Sequence, residues 1–139
     1  MAGTDAASQV EEMSREDALD CLQHHGFVGR IAFVLDERPM IMPVNYLADK
    51  DALVFCTGEG TKLAALRAGT PVSFEVDEAK PFEHSGWSVV VDGTAREVTD
   101  AEELEWLRRG PLRSWAVQPS AHWVRVRYDS VTGRRILAH

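Results

Sequence analysis

The chain has 139 residues, 45% of them hydrophobic and 27% charged, with a formal net charge of −7; this is the make-up of one ordinary globular domain, neither disordered nor fibrous. An acidic chain is a poor general nucleic-acid binder, because neutralising phosphates supplies most non-specific affinity. No apolar run approaches the roughly 18 residues of a membrane span.

Residues 1–13 are small, polar and acidic, and are expected to be a disordered tail ahead of a single domain at 14–139. The same stretch lacks a basic region followed by an apolar one, so no secretory signal is expected. Ser14-Arg15-Glu16-Asp17 resembles a capping box. Ala18, Leu19 and Leu22 then support a helix of two to three turns, which Gly26 closes. Beyond it the hydrophobic period changes. Positions 27–35, 39–47 and 52–57 read as three antiparallel strands, joined by turns at Asp36-Glu37-Arg38 and Asp49-Lys50-Asp51. Gly58-Glu59-Gly60 breaks the meander. Thr61 is expected to cap a helix over 62–67, with Gly69 closing it. From Pro71, Val72, Phe74 and Val76 alternate with Ser73, Glu75 and Asp77, a half-buried strand. Positions 78–86 read as a loop. A long strand covers 87–98, and Gly93 marks a bend or bulge in it. Thr99-Asp100 caps a helix through Arg109, and an irregular segment with Trp115 follows. A last strand covers 122–128.

Six strands on short loops with three short helices predict a mainly β protein, a small antiparallel barrel with helical plugs. Several strands are apolar on both faces, so they need cover outside as well as inside. A chain this short has few helices for that purpose, and a homodimer is the economical expectation. Cys21 and Cys56 form no C-x-x-C pair. This argues against a disulfide framework and a cysteine zinc site, and fits a reducing cytoplasm. The acidic excess lies partly in residues 1–20, which carry net −5, whereas residues 105–139 carry net +5.

The most informative segment is Thr57-Gly58-Glu59-Gly60-Thr61-Lys62, which joins a strand end to a helix start. Backbone N–H groups, the Thr61 hydroxyl and the Lys62 ammonium suit one anion. The order Gly-Thr-Lys is not that of a P-loop, and Leu63 stands where a dinucleotide fingerprint needs its third glycine. A flexible turn beside a solvated lysine is the plainer alternative. Arg30 interrupts an apolar strand and needs a partner. Either it is a phosphate ligand, or it pairs with Glu75 or Asp77. Pro43-Val44-Asn45 marks a strand edge or bulge, where an amide and free backbone groups suit a flat heterocycle. Trp87, Trp115 and Trp123 offer stacking faces, or simply core.

Other chemistries find little support. There is no G-x-S-x-G for a serine hydrolase. His24-His25 lack metal-ligand spacing, so no metal site is expected, and His84 and His122 look isolated. No carboxylate pair stands out as acid and base, so catalytic residues are not identified, and any enzyme of this kind relies on a cofactor.

The order of segments resembles the pyridoxamine 5′-phosphate oxidase-like proteins with the FMN-binding split β-barrel, in particular their small actinobacterial branch. The carrying segments are Val28-Gly29-Arg30-Ile31-Ala32-Phe33, Pro43-Val44-Asn45-Tyr46, Phe55-Cys56-Thr57-Gly58 with Thr61-Lys62, and Val72 through Asp77. Gly86-Trp87-Ser88-Val89 and His122-Trp123-Val124-Arg125-Val126 complete the likeness, over about residues 14–136. It implies a six-stranded antiparallel split barrel, a homodimer, and FMN in grooves at the subunit interface. Thr61 and Lys62 would hold the phosphate with help from Arg30, and Pro43, Val44 and Asn45 would line the ring system. Thr57 and Gly58 would lie beside the ribityl chain, with Trp87 and Ser88 approaching from the long strand, in one version that of the partner. The chain lacks the C-terminal substrate region of true pyridoxamine phosphate oxidases, so that reaction is not expected. The resemblance implies an oxidoreductase passing hydride or electrons from a nicotinamide or deazaflavin donor to a small acceptor. The alternative is a non-catalytic flavin or haem carrier or sensor. F420 and haem are the alternative cofactors.

Overall fold

A computed structural model describes residues 10–58, 60–110 and 121–137. The elements are β1 (Val10–Glu12), α1 (Arg15–His24), β2 (Val28–Leu35), β3 (Arg38–Ala48), β4 (Ala52–Thr57), α2 (Thr61–Leu66), β5 (Ala68–Lys80), β6 (Ser85–Glu97), α3 (Ala101–Arg109) and β7 (His122–Ile136). A short 3₁₀ turn, Pro81–Glu83, joins β5 to β6. Every strand pairing is antiparallel. The order β7-β4-β3-β2-β5-β6 is closed by pairing of β6 with β7, and β1 adds to the other edge of β7. The six-stranded barrel expected from the sequence is therefore present.

Alternation along the strands explains the core. Ile31 and Phe33 of β2, Val72, Phe74 and Val76 of β5, and Val89 and Val91 of β6 all point inward and are buried. α1 is capped by Ser14, whose hydroxyl accepts from the Asp17 N–H at 3.1 Å, and it buries Ala18, Cys21 and Leu22. α2 adds Leu63 and Leu66 to the same core. β4 is apolar on both faces because both are covered. Leu53 and Phe55 face the barrel, while Val54 packs outside it with Val98, Trp123 and Leu107 of α3.

Three local differences from the sequence reading have clear causes. Val10–Glu12 pair with β7, and Met13 packs on the core, so ordered chain precedes position 14; residues 1–9 lie outside the described residues. β7 continues to Ile136, because Val131 and Gly133 keep facing β6 through a register shift at Asp92/Gly93. That shift is the irregularity expected at Gly93. Gly26 ends α1 for a packing reason rather than a left-handed one. A Cβ there would collide with the Tyr46 phenol and come within 2.6 Å of the Val76 side chain.

Candidate functional site

β3 and β4 form one corner of the barrel. Their pairing begins at Tyr46–Phe55. One step outward along the two strands come Asn45 and Cys56, then Val44 and Thr57. Pro43 lies where β3 pairs with β2 alone, opposite Arg30, so its missing N–H breaks no ladder. Tyr46 fixes the corner from inside: its buried hydroxyl donates to the Leu22 carbonyl at 2.8 Å, and its ring meets Phe74 edge-on at 4.8 Å. Alternation then turns Asn45 to the outer face. The Asn45 side-chain carbonyl oxygen is buried and accepts no hydrogen bond. Buried polar groups are nearly always paired, so an orphan acceptor is a signal.

The chain leaves this corner through Thr57, Gly58 and Gly60. Gly60 has φ 148°, a backbone that side chains rarely adopt, and it is the N-cap of α2. Thr61 is thus the first helical residue rather than the cap expected from the sequence, and its hydroxyl is not used for capping. Thr61 and Lys62 are exposed, and Lys62 makes no ion pair with any described residue. A Cβ on Gly58 or Gly60 would meet nothing within 4 Å, so open space surrounds the turn. Pro43, Val44 and Asn45 on β3 and Thr57, Gly58, Thr61 and Lys62 at and after the end of β4 thus belong to the two segments that leave the Tyr46–Phe55 pair, with the Val44 side chain turned inward and buried in the core.

The structure does not bring all expected residues there. Arg30 is engaged elsewhere: its Nη1 donates to Glu75 Oε1 at 3.2 Å and lies 3.5 Å from Asp77 Oδ1. Trp87 and Ser88, near the start of β6, lie beside the far end of β7. Thr57 pairs with His122 at the start of that strand, whereas Trp87 and Ser88 pair with Arg135 and Arg134. Trp123 is buried against α3, and Trp115 lies outside the described residues.

His122, which looks isolated in the sequence, is not. It stands opposite Thr57, and its Nδ1 is 2.6 Å from Glu97 Oε2. Glu97 Oε1 accepts from Arg67 Nε at 2.8 Å. The His122 hydrogen bond, above all, holds the Glu97 carboxyl below its ordinary range, with Arg67 assisting against the effect of burial. These residues are 25 and 30 positions apart, so only strand register reveals the cluster. Burial pushes the Cys21 and Cys56 thiols up, which leaves both protonated at neutral pH. Among the described residues, no group of three or more His, Cys, Asp or Glu is placed to hold a metal. No described helix is long and apolar enough to cross a membrane.

Comparison with known proteins gives this corner its context. The family model for pyridoxamine 5′-phosphate oxidase matches residues 14–135. The chain belongs to the pyridoxamine 5′-phosphate oxidase family. An uncharacterized protein of Mycobacterium tuberculosis is 34% identical over 142 residues, covering 99% of this chain and 92% of the relative. The structure of a pyridoxamine 5′-phosphate oxidase-like protein of Corynebacterium glutamicum is 32% identical, with TM-score 0.79, over 92% of this chain and 98% of that one. The FAD-binding protein of Mycobacterium smegmatis is 35% identical, with TM-score 0.74, over 91% and 97%. The barrel is thus the split barrel of this family, and flavin binding occurs among its similar structures.

Proposed function

We propose that the protein is an FMN-binding oxidoreductase, passing hydride or electrons from a reduced nicotinamide or deazaflavin to a small acceptor. The observation that carries this reading is the orphaned Asn45 carbonyl oxygen, one strand from a glycine turn that ends in Thr61 and Lys62. The residues present fit a flavin nucleotide. Lys62 and the Thr61 hydroxyl suit its phosphate. Asn45 accepts from a ring N–H and Pro43 supplies an apolar wall, while Val44, whose side chain is buried in the core, offers its backbone alone. The open space at Gly58 and Gly60 admits the ribityl chain beside Thr57. When bound, a flavin accepts and returns a hydride without a protein nucleophile. The work left to this chain is to hold, orient and desolvate the ring. Arg30 is not counted among the flavin contacts, because Glu75 and Asp77 already engage its guanidinium.

The working unit is proposed to be a cytoplasmic homodimer. The outer face of β2, β3 and β6 exposes Val28, Val34, Ile41 and Val90, with Val34 and Ile41 63% and 68% open. Neighbouring strands hold these side chains on one face, where they stay open among the described residues. A second copy covers such a face.

An absorbance spectrum of freshly purified protein, followed by chromatography of the released nucleotide, tests the cofactor. A flavin spectrum with FMN in the extract is expected. Released FAD corrects the nucleotide, and a deazaflavin or haem spectrum replaces it. Turnover of NADH, NADPH or reduced F420 against a nitroaromatic panel tests the enzyme reading. Bound flavin without donor oxidation marks a carrier or sensor instead.

A further inference from the structure

A cavity of about 390 Å³ opens between the end of α1, the β5–β6 connection and the end of β7, away from the Asn45–Lys62 corner. Its size lies within the roughly 300–1,000 Å³ of small-molecule pockets. Trp87 of β6 and Arg135 of β7 are direct cross-strand partners and both line it. An indole and a guanidinium therefore stand side by side on one face. Ile136 and Leu137 also line the cavity and stay 48% and 39% exposed, leaving apolar surface open beside the indole.

The charged lining is mainly cationic: Arg135, Lys80 and, when protonated, His25, against Glu78. The acids that meet these groups hold them loosely. Lys80 Nζ is 3.8 Å from Glu78, Arg135 Nη1 is 3.4 Å from Glu11, and both partners of each pair are exposed. Exposed pairs of this kind contribute little, so an incoming anion can recruit both cations. His25 meets Asp20 in the same way, at 3.3 Å.

We propose that this cavity is a second ligand site, which binds a flat aromatic anion. The ring lies against Trp87, and the acid group is held by Arg135 and Lys80. The pairing of stacking face and guanidinium selects for both features together: a ring without charge loses the cations, and an anion without a ring loses the indole and the open apolar surface.

Calorimetric titration of the full chain with 1-naphthoate and with its uncharged analogue 1-naphthalenemethanol tests the site. One naphthoate per chain is expected, at least tenfold tighter than the alcohol. Arg135→Gln and Lys80→Gln are expected to weaken naphthoate several-fold and leave the alcohol unchanged. Trp87→Ala is expected to weaken both ligands, with thermal melts checking that each variant folds. Absence of naphthoate binding, equal affinity for the two probes, or indifference to both charge variants overturns the proposal. So does competitive displacement of naphthoate by FMN, which would make the cavity part of the flavin's own site. Flavin absorbance reads the cofactor proposal separately: naphthoate binding without any flavin binding sinks that reading and keeps this one.

Discussion

Arg30 on β2 and Glu75 on β5 are register partners, with Nη1 and Oε1 3.2 Å apart on the outer face of the barrel. Asp77, two residues along the same face, shares the guanidinium. Although a third of its side chain stays exposed, loss of water is the largest influence on Glu75, and Asp77 adds a hydrogen bond and like charge. Together these outweigh Arg30 and push the Glu75 carboxyl up to about 7. The folded chain therefore holds a proton on Glu75 at pH values where the unfolded chain, near 4.5, has lost it. The resulting stabilisation is fully present below the unfolded value and fades as pH rises through about 7. Carboxyl-resolved NMR titration is expected to show a Glu75 midpoint well above the other exposed carboxylates. In Glu75→Gln, the fall in melting temperature between pH 5 and 7 is expected to flatten. An ordinary midpoint for Glu75 refutes the account.

Asn45 is a different kind of tension. A buried acceptor without a partner costs about 1–3 kcal/mol in the absence of ligand. Asn45→Leu keeps the size and removes the orphan. The flavin-free variant is expected to be more stable than the flavin-free parent by about 1 kcal/mol, and to bind flavin at least tenfold more weakly. Melting of the flavin-free proteins and a fluorescence titration with FMN read the two effects. Equal flavin affinity would remove Asn45 from the site.

Lys62 carries no such structural duty, since it is exposed and unpaired among the described residues. Lys62→Ala is expected to leave the melting temperature of the flavin-free protein within about a degree. Losing a charge-assisted phosphate contact, at about 1.5–3 kcal/mol, is expected to lower FMN affinity roughly tenfold or more. Riboflavin, which has no phosphate, serves as the control: its affinity is expected to be the same in both proteins.

Much of the barrel was legible because period-2 alternation is a local signal. Val72, Phe74 and Val76 announce their strand, and the polar turn at Asp36-Glu37-Arg38 announces its hairpin, which the pairing of Leu35 with Arg38 tightens to two residues. Less legible were features that depend on which strands meet. β1 is short and polar, and only its pairing with Arg134, Arg135 and Ile136 makes it a strand. The Arg67–Glu97–His122 cluster exists because β6 and β7 close the barrel beside the end of α2. Arg30 shows the boundary between the two cases. The sequence offers a phosphate or a carboxylate partner for a charge in an apolar strand, and the β2–β5 register brings Glu75 opposite it. For the corner itself, the glycines and Lys62 can be read from the chain, but the orphaned state of Asn45 requires its burial to be seen.

Gly29 illustrates a packing constraint that alternation alone does not show. It faces the core on β2, where a Cβ would run into the Phe74 ring and sit 2.9 Å from the Glu75 carbonyl oxygen. The ring is fully buried and meets Tyr46 edge-on at 4.8 Å between centroids, so it has little room to retreat. Gly29→Ala is expected to destabilise the protein by about 1–3 kcal/mol, the range for overpacked cores. Adding Phe74→Leu is expected to recover part of the loss relative to Phe74→Leu alone, because the ring contact is relieved and the carbonyl contact is not. Purely additive denaturation midpoints would show that the ring is not what Gly29 accommodates.

The β2–β3 hairpin stores a smaller and more accessible strain. Leu35 pairs with Arg38, leaving Asp36 and Glu37 as a two-residue loop. Both have positive φ, 51° and 66°, as a type I′ turn requires. Aspartate tolerates this conformation through local hydrogen bonding, but glutamate has no such advantage, and the left-handed region costs an ordinary residue about 1–2 kcal/mol. Glycine avoids that cost and gives some back as unfolded-state entropy. Glu37→Gly is therefore expected to stabilise the chain by about 0.5–1 kcal/mol in chemical denaturation. Glu37→Ala makes the decisive comparison, since it removes the charge and keeps the Cβ. If alanine stabilises as much as glycine, charge rather than backbone geometry is the cause; if only glycine does, the hairpin carries the strain that its φ values indicate.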